Sequence, residues 1–358
     1  MTRSIIPFGP QHPVLPEPLH LKLTVEDETV VEAIPALGYV HRGLEGLAQR
    51  RDYHQMIYVV ERVCGICSCI HAMCYCNAIE KLMGLEVPRR AKYLRVIWSE
   101  LHRVHSHLLW LGLFADAFGF ESLFMNLWKI RERVMDINEA TAGNRVIVST
   151  NIIGGVRRDI SEDWLKQILK DITEIEQQLK PMFDVMTNDY TIKKRTVGKG
   201  VLSKELCHQL GAAGPTLRGS GWAQDVRQLK YEAFDELDFE PVVEYDGDCY
   251  SRNKVRFRET FQSLEIVRQA INRIPSGELA VKPKGNPDGE IAFRVEQPRG
   301  ELFYYVKCNG GKNPERVRIR TPTFANIPPL LAMLPGAQLA DVPVLALSID
   351  PCISCTER

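Results

Sequence analysis

No stretch of this sequence comes near the roughly 18 to 20 consecutive apolar residues that cross a bilayer as a helix. The N-terminal segment 1–11 has no charged-then-apolar export pattern, so the chain itself is expected to stay on the cytoplasmic side. Net charge is missing too. With 45 basic residues against 45 acidic ones, no field of one sign is available to hold nucleic acid or anionic lipid, and no nucleic-acid partner is expected. There is no internal repeat, no low-complexity tract and no clear linker. What remains is 358 residues of ordinary apolar content, enough to bury a large core, and a single domain over 1–358 is the simplest reading.

Hydrophobic patterning gives that domain three parts. Over 19–34, apolar and polar residues alternate on both sides of Glu26-Asp27-Glu28, which predicts a β-hairpin with an acidic turn. The segment 44–275 reads as a central bundle of long helices, with spans expected over 89–118, 122–142 and 161–186 and shorter ones over 219–234 and 260–274. From 276 to 358 the pattern is mixed. Short strands are expected over 290–295, 302–306 and 317–319, and Pro328-Pro329 and Pro343 punctuate the tail. The predicted class is mainly α with small peripheral β-sheets.

Ten cysteines without an export signal point to thiols kept for metal or redox work more than to a disulfide framework. Four form two C-x-x-C pairs near opposite ends of the chain, Cys64/Cys67 at a helix boundary and Cys352/Cys355. Two intervening residues let both sulfurs of a pair face one centre, and thiolates suit zinc, nickel and iron. Spacing alone leaves a structural zinc site, another metal centre and a redox pair all open.

The flanking residues carry more. Arg62-Val63-Cys64-Gly65-Ile66-Cys67, followed by His71, resembles the R-x-C-G-x-C-x-x-x-H motif of nickel–iron hydrogenase large subunits, and Asp350-Pro351-Cys352-Ile353-Ser354-Cys355 resembles their D-P-C-x-x-C. The resemblance implies the fold of that family, with long helices at its centre. It also implies that Cys64 and Cys352 are terminal nickel ligands, while Cys67 and Cys355 bridge nickel to an iron that carries carbon monoxide and cyanide. The reaction implied is reversible heterolytic cleavage of H2, of the ferredoxin hydrogenase type.

Further residues are assigned by the same resemblance. Glu17, in Pro16-Glu17-Pro18, falls where the family has a proton-relaying glutamate, although a carboxylate in such a loop is more often simply exposed. Arg299, in Pro298-Arg299-Gly300, resembles the arginine above the open side of the metal pair, and His71, Asp350 and Arg62 match positions that orient the cysteines. Glu45, in Arg42-Gly43-Leu44-Glu45, matches a glutamate that binds a magnesium or iron ion. The usual partner of that ion is a histidine three places after the last cysteine, and here that place is Arg358, whose guanidinium does not ligate metals. Related mature subunits end at this place after processing.

Cys69, Cys74, Cys76, Cys207, Cys249 and Cys308 read as packing cysteines, and His102, His105 and His107 as ordinary helix histidines. No cysteine grouping beyond the two pairs has cubane-cluster spacing.

The segments Phe8-Gly9-Pro10-Gln11-His12-Pro13 and Gly38-Tyr39-Val40-His41-Arg42-Gly43-Leu44-Glu45 are similar to the quinone-site 49 kDa subunit of respiratory complex I, a relative without the metal. Together with four retained cysteines they place the resemblance in the energy-converting, Ech-type branch. That branch implies a small subunit with a [4Fe–4S] cluster, a ferredoxin-like cluster subunit, integral membrane subunits that translocate ions, ferredoxin as electron partner, and a location on the cytoplasmic face of the cell membrane. A metal-free quinone-site or connector subunit and a zinc-stabilised scaffold are the competing readings.

Overall fold

The computed structural model describes residues 3–358. The chain opens with β1 (Arg3–Phe8), β2 (His20–Glu26) and β3 (Thr29–Ala36), an antiparallel sheet in that order. The expected hairpin is β2–β3. Its two-residue turn is Asp27-Glu28, both with positive φ (46° and 67°), the backbone handedness that matches strand twist. The edge strand β1 was not anticipated.

Helices α1 (Gln55–Glu61) and α2 (Ser68–Met83) flank the first cysteine pair, and Gly84, at φ 62°, closes α2. The long α3 (Arg89–Asp116) and α4 (Glu121–Ala142) follow, then the short strands β4 (Asn151–Ile152) and β5 (Gly155–Val156) and the long α5 (Glu162–Asn188). Ser161 caps α5 by accepting from the Trp164 amide. The helices α6 (Tyr190–Thr196), α7 (Lys204–Gln209), α8 (Pro215–Arg218) and α9 (Cys249–Arg273) complete the bundle. α3 packs against both α4 and α9 and is buried almost all round, so it is the axis of the molecule.

β4 and β5 pair as a two-stranded antiparallel sheet, and a third sheet, of β6 (Asp288–Gln297), β7 (Gly300–Asn309) and β8 (Arg316–Arg320), also antiparallel, packs on α2; α10 (Pro322–Met333), α11 (Val342–Ser348) and α12 (Ile353–Glu357) end the chain. Among the described residues no helix is long and apolar enough to cross a membrane. The architecture is mainly helical with three small sheets, as the sequence predicts.

Three local expectations need correction. The segment 219–234 is not a helix; after α8 it runs through turns and one 3-10 turn (Val226–Leu229), held by buried ion pairs of Arg218 and Arg227. α9 starts eleven residues before the expected 260, because its first three turns bury Arg252, Arg256 and Glu259 among Val255 and Phe257, which blurs the apolar stripe. Pro328 and Pro329 lie inside α10 instead of breaking the chain there. Each removes a backbone donor, and burial of Ile327, Leu330 and Met333 holds the helix together.

Candidate metal centre

The sequence delivers its two cysteine pairs to the same place by the same device: in each, the chain turns out of a helix, presents a first cysteine on a loop and starts a new helix. Cys64 lies between α1 and α2, and Cys67 is the residue that opens α2. Cys352 opens α12, and Cys355 sits within it. Asp350, ahead of the second pair, adopts φ 55°, a left-handed conformation uncommon outside glycine, asparagine and aspartate, and this redirects the chain into Pro351.

The four sulfurs converge, although 288 residues separate the partners. Cys64 Sγ lies 3.3 Å from Cys352 Sγ, and Cys67 Sγ lies 3.7 Å from Cys355 Sγ. Cys64, Cys67 and Cys355 fall within 4.8 Å of one another, the one group of three such side chains among the described residues close enough to share an ion. All four are buried. Hydrogen bonds from Cys352, Cys355 and Cys67 hold the Cys64 thiol well below its ordinary range, and the charge of Arg299 acts in the same direction; burial pushes Cys67 and Cys355 up. Thiols gathered in this way release their protons when a cation binds them. Four soft, buried sulfur donors fit nickel and iron.

Arg299 sits at the tip of the β6–β7 hairpin, whose two-residue turn is Pro298-Arg299, near enough for its charge to act on Cys64, Cys67 and Cys352. Gly214 approaches this tip so closely that a Cβ on it would come within 2.3 Å of the Arg299 carbonyl oxygen, which explains a glycine there. The buried guanidinium donates from Nε to the Asp350 carbonyl at 2.9 Å, from Nη2 to its carboxylate at 2.8 Å and from Nη1 to Ser106 Oγ at 3.2 Å.

Behind the second pair, His71 Nε2 lies 3.5 Å from Cys355 Sγ and its Nδ1 lies 2.8 Å from the Tyr304 hydroxyl. Burial lowers the His71 pKa to about 4 and raises that of Tyr304, so a neutral ring faces a protonated phenol. The consistent arrangement has Tyr304 donating to Nδ1 and Nε2–H donating to Cys355 sulfur. Tyr304 was missed in the sequence. Its one signal there is its inward place in the alternation of β7.

Glu17 accepts hydrogen bonds from the amides of Ile353 and Ser354, the latter at 2.9 Å, and from the Ser354 hydroxyl. It shares with Cys352 and Arg299 the lining of a cavity of about 20 Å³ whose other walls include Leu109, Trp110 and Leu347. Arg62 is not brought to the cysteines. Its half-exposed guanidinium bonds the Tyr58 carbonyl, at 2.9 Å, and Glu61. Arg42, in contrast, joins the two motifs: its guanidinium donates to the carbonyls of Arg62 (2.7 Å), Val63 (2.8 Å) and Ser354 (3.2 Å).

Around Glu45 the donors do not suit a metal ion. Its carboxylate accepts from the Ile319 amide and Arg318 Nη1, both at 2.8 Å, and from Arg358 Nε at 3.2 Å.

The six remaining cysteines are buried and unpaired. His102, His105 and His107 are buried on α3, with His107 Nε2 3.0 Å from the Glu259 carboxylate.

Comparison with known proteins agrees with this geometry. The family described as "Nickel-dependent hydrogenase" matches residues 42–114, and "Respiratory-chain NADH dehydrogenase, 49 Kd subunit" matches 117–286 and 281–358. The chain is 42% identical to the carbon monoxide-induced hydrogenase of Rhodospirillum rubrum, covering all of both chains. It is also 42% identical to the membrane-bound hydrogenase subunit alpha of Pyrococcus furiosus, over 99% of this chain and 87% of that one. A chain in the structure of the membrane-bound sulfane sulfur reductase, an archaeal respiratory membrane complex, superposes with a TM-score of 0.95 at 34% identity, covering 99% of this chain and 98% of that one.

Proposed function

The chain belongs to the large subunits of energy-converting nickel–iron hydrogenases related to the complex I 49 kDa subunit, and from that premise we propose that it catalyses reversible heterolytic cleavage of H2 with ferredoxin as electron partner. The observation that carries this reading is the convergence of Cys64, Cys67, Cys352 and Cys355, with the Arg299 charge acting on them.

In this reading the four cysteines hold nickel and an iron bearing carbon monoxide and cyanide, and when bound the pair supplies the Lewis acidity and electron-accepting capacity for splitting H2. The chain's own residues do the rest. The apolar walls at Leu109, Trp110 and Leu347 admit a small apolar molecule and keep water away. Arg299, fixed by Asp350, places a permanent positive charge beside the sulfurs and favours charge that develops there. Glu17, fixed by the amides that follow Cys352, takes up the proton and passes it outward.

Ion translocation belongs to integral membrane subunits, and electrons reach the site through a small subunit with a [4Fe–4S] cluster and a ferredoxin-like subunit, on the cytoplasmic face of the membrane. The name of the Pyrococcus relative, a membrane-bound hydrogenase subunit, supports that assembly.

Infrared spectroscopy of the complex purified from its native membrane, with nickel and iron analysis, tests the reading. Bands of iron-bound carbon monoxide and cyanide with stoichiometric nickel are expected. Zinc or no metal in fully matured complex, without such bands, would replace it with the scaffold or the quinone-site connector reading.

A further inference from the structure

The segment that carries the second cysteine pair does not end loosely. Beyond Cys355 it is seated in a cradle formed by residues 38–45 and 318–321. The Glu357 carboxylate accepts from the amides of Gly38 and Val40, both at 2.6 Å, and its carbonyl lies 2.5 Å from His41 Nδ1. Thr321 Oγ1 donates to the Cys355 carbonyl at 3.0 Å, and Arg42 reaches the Ser354 carbonyl. Arg358 returns to Glu45, donates from Nη1 to the Thr356 carbonyl at 2.8 Å and lies over the Phe324 ring at 5.1 Å.

Charge at Glu45 is already matched. Its carboxylate pairs with the guanidinium groups of Arg318 and Arg358, while the Glu357 carboxylate is held by backbone amides alone. A hard divalent cation needs several oxygen ligands or a histidine. Glu45 has no other carboxylate or imidazole in a ligating group with it among the described residues. Although burial pushes the Glu45 carboxyl up, the Ile319 amide and the two guanidinium groups outweigh it and hold the carboxyl below its ordinary range. It is an anion with its counter-charges in place.

We propose that Arg318 and Arg358 replace at Glu45 the divalent cation suggested by the resemblance, so that the segment after the second cysteine pair, and Cys355 with it, is locked by an internal ion pair and needs no second metal. The inference does not rest on the nickel–iron reading, because the Glu45 ion pairs and the backbone lock are present whatever the thiols bind.

The test is hydrogen–deuterium exchange of the amides over 354–358 in the purified complex, with elemental analysis. In the parent, exchange and thermal midpoint should be the same in EDTA and in excess magnesium. Arg358→Gln and Glu45→Gln should each raise exchange over 354–358 about tenfold. The double variant should do less than the sum of the two single ones, because both remove the Glu45–Arg358 pair. Arg358→Lys should restore most of the protection. Opening of this segment by EDTA in the parent, a magnesium or additional iron ion lost with Glu45→Gln, or strictly additive single effects would overturn the proposal. The parent chelation result decides the matter even if a variant fails to fold.

Discussion

Arg299 holds Asp350 at two points, its Nε on the carbonyl and its Nη2 on the carboxylate. Both groups are buried, so removing one leaves the other charge uncompensated, a loss on the order of 3–5 kcal/mol. Arg299→Lys keeps the charge but cannot make both contacts. Its thermal midpoint should fall modestly while H2/D+ isotope exchange falls about 100-fold, as for loss of a group that stabilises developing charge. Normal exchange in a metal-loaded Arg299→Lys enzyme would remove Arg299 from the reaction.

Glu17→Gln keeps an oxygen acceptor for the Ile353 and Ser354 amides, so folding and nickel content should be unchanged. It cannot take up a proton, and isotope exchange should slow by roughly 10²-fold or more. Exchange at the parent rate would show that protons leave by another path.

Tyr304→Phe deletes a hydroxyl and leaves His71 Nδ1 buried without a partner, a cost of about 1–3 kcal/mol. Since His71 also bonds Cys355, nickel should be lost to a chelator about tenfold faster than from the parent, in line with other groups that orient metal ligands. Equal rates of nickel loss would limit Tyr304 to packing.

Burial lowers the His102 pKa to about 4, against the opposing pull of the Ile66 carbonyl and Cys64. Its unfolded value is near 6.5, so between about pH 6.5 and 4 the unfolded chain binds more protons at this position than the folded one. Stability from this residue is therefore fully present above pH 6.5 and is lost as pH falls towards 4. His102→Leu in the metal-free chain should show a shallower decline across that window in denaturant titrations; an unchanged slope would mean that His102 titrates normally.

Much of this was legible because apolar periodicity and cysteine spacing are written in residue types. The hairpin followed from alternation around Asp27-Glu28, the axis helix from Leu94, Ile97, Leu101 and Leu108, and the sulfur cluster from two motifs. What escaped is what periodicity does not register. The first half of α9 buries Arg252, Arg256 and Glu259 around Val255 and Phe257, so charged residues interrupt the apolar stripe there. β1 lies at a sheet edge with Ile5 exposed and Pro7 in its course, which hides its alternation. Arg42 acts on backbone carbonyls, and every residue has one, so nothing in the sequence marks its targets.

The sulfurs that meet at 3.3 and 3.7 Å are 288 residues apart in both pairs. At about 5 to 20 residues per second, a ribosome needs roughly 15 to 60 s to travel from the first pair to the second. For all that time Cys64 and Cys67 face a half-made pocket whose other wall is not yet synthesised. The nascent chain therefore has an interval in which two thiols stand ready with no partners of their own, and whatever fills the centre must wait for them, shield them, or arrive before the second wall closes.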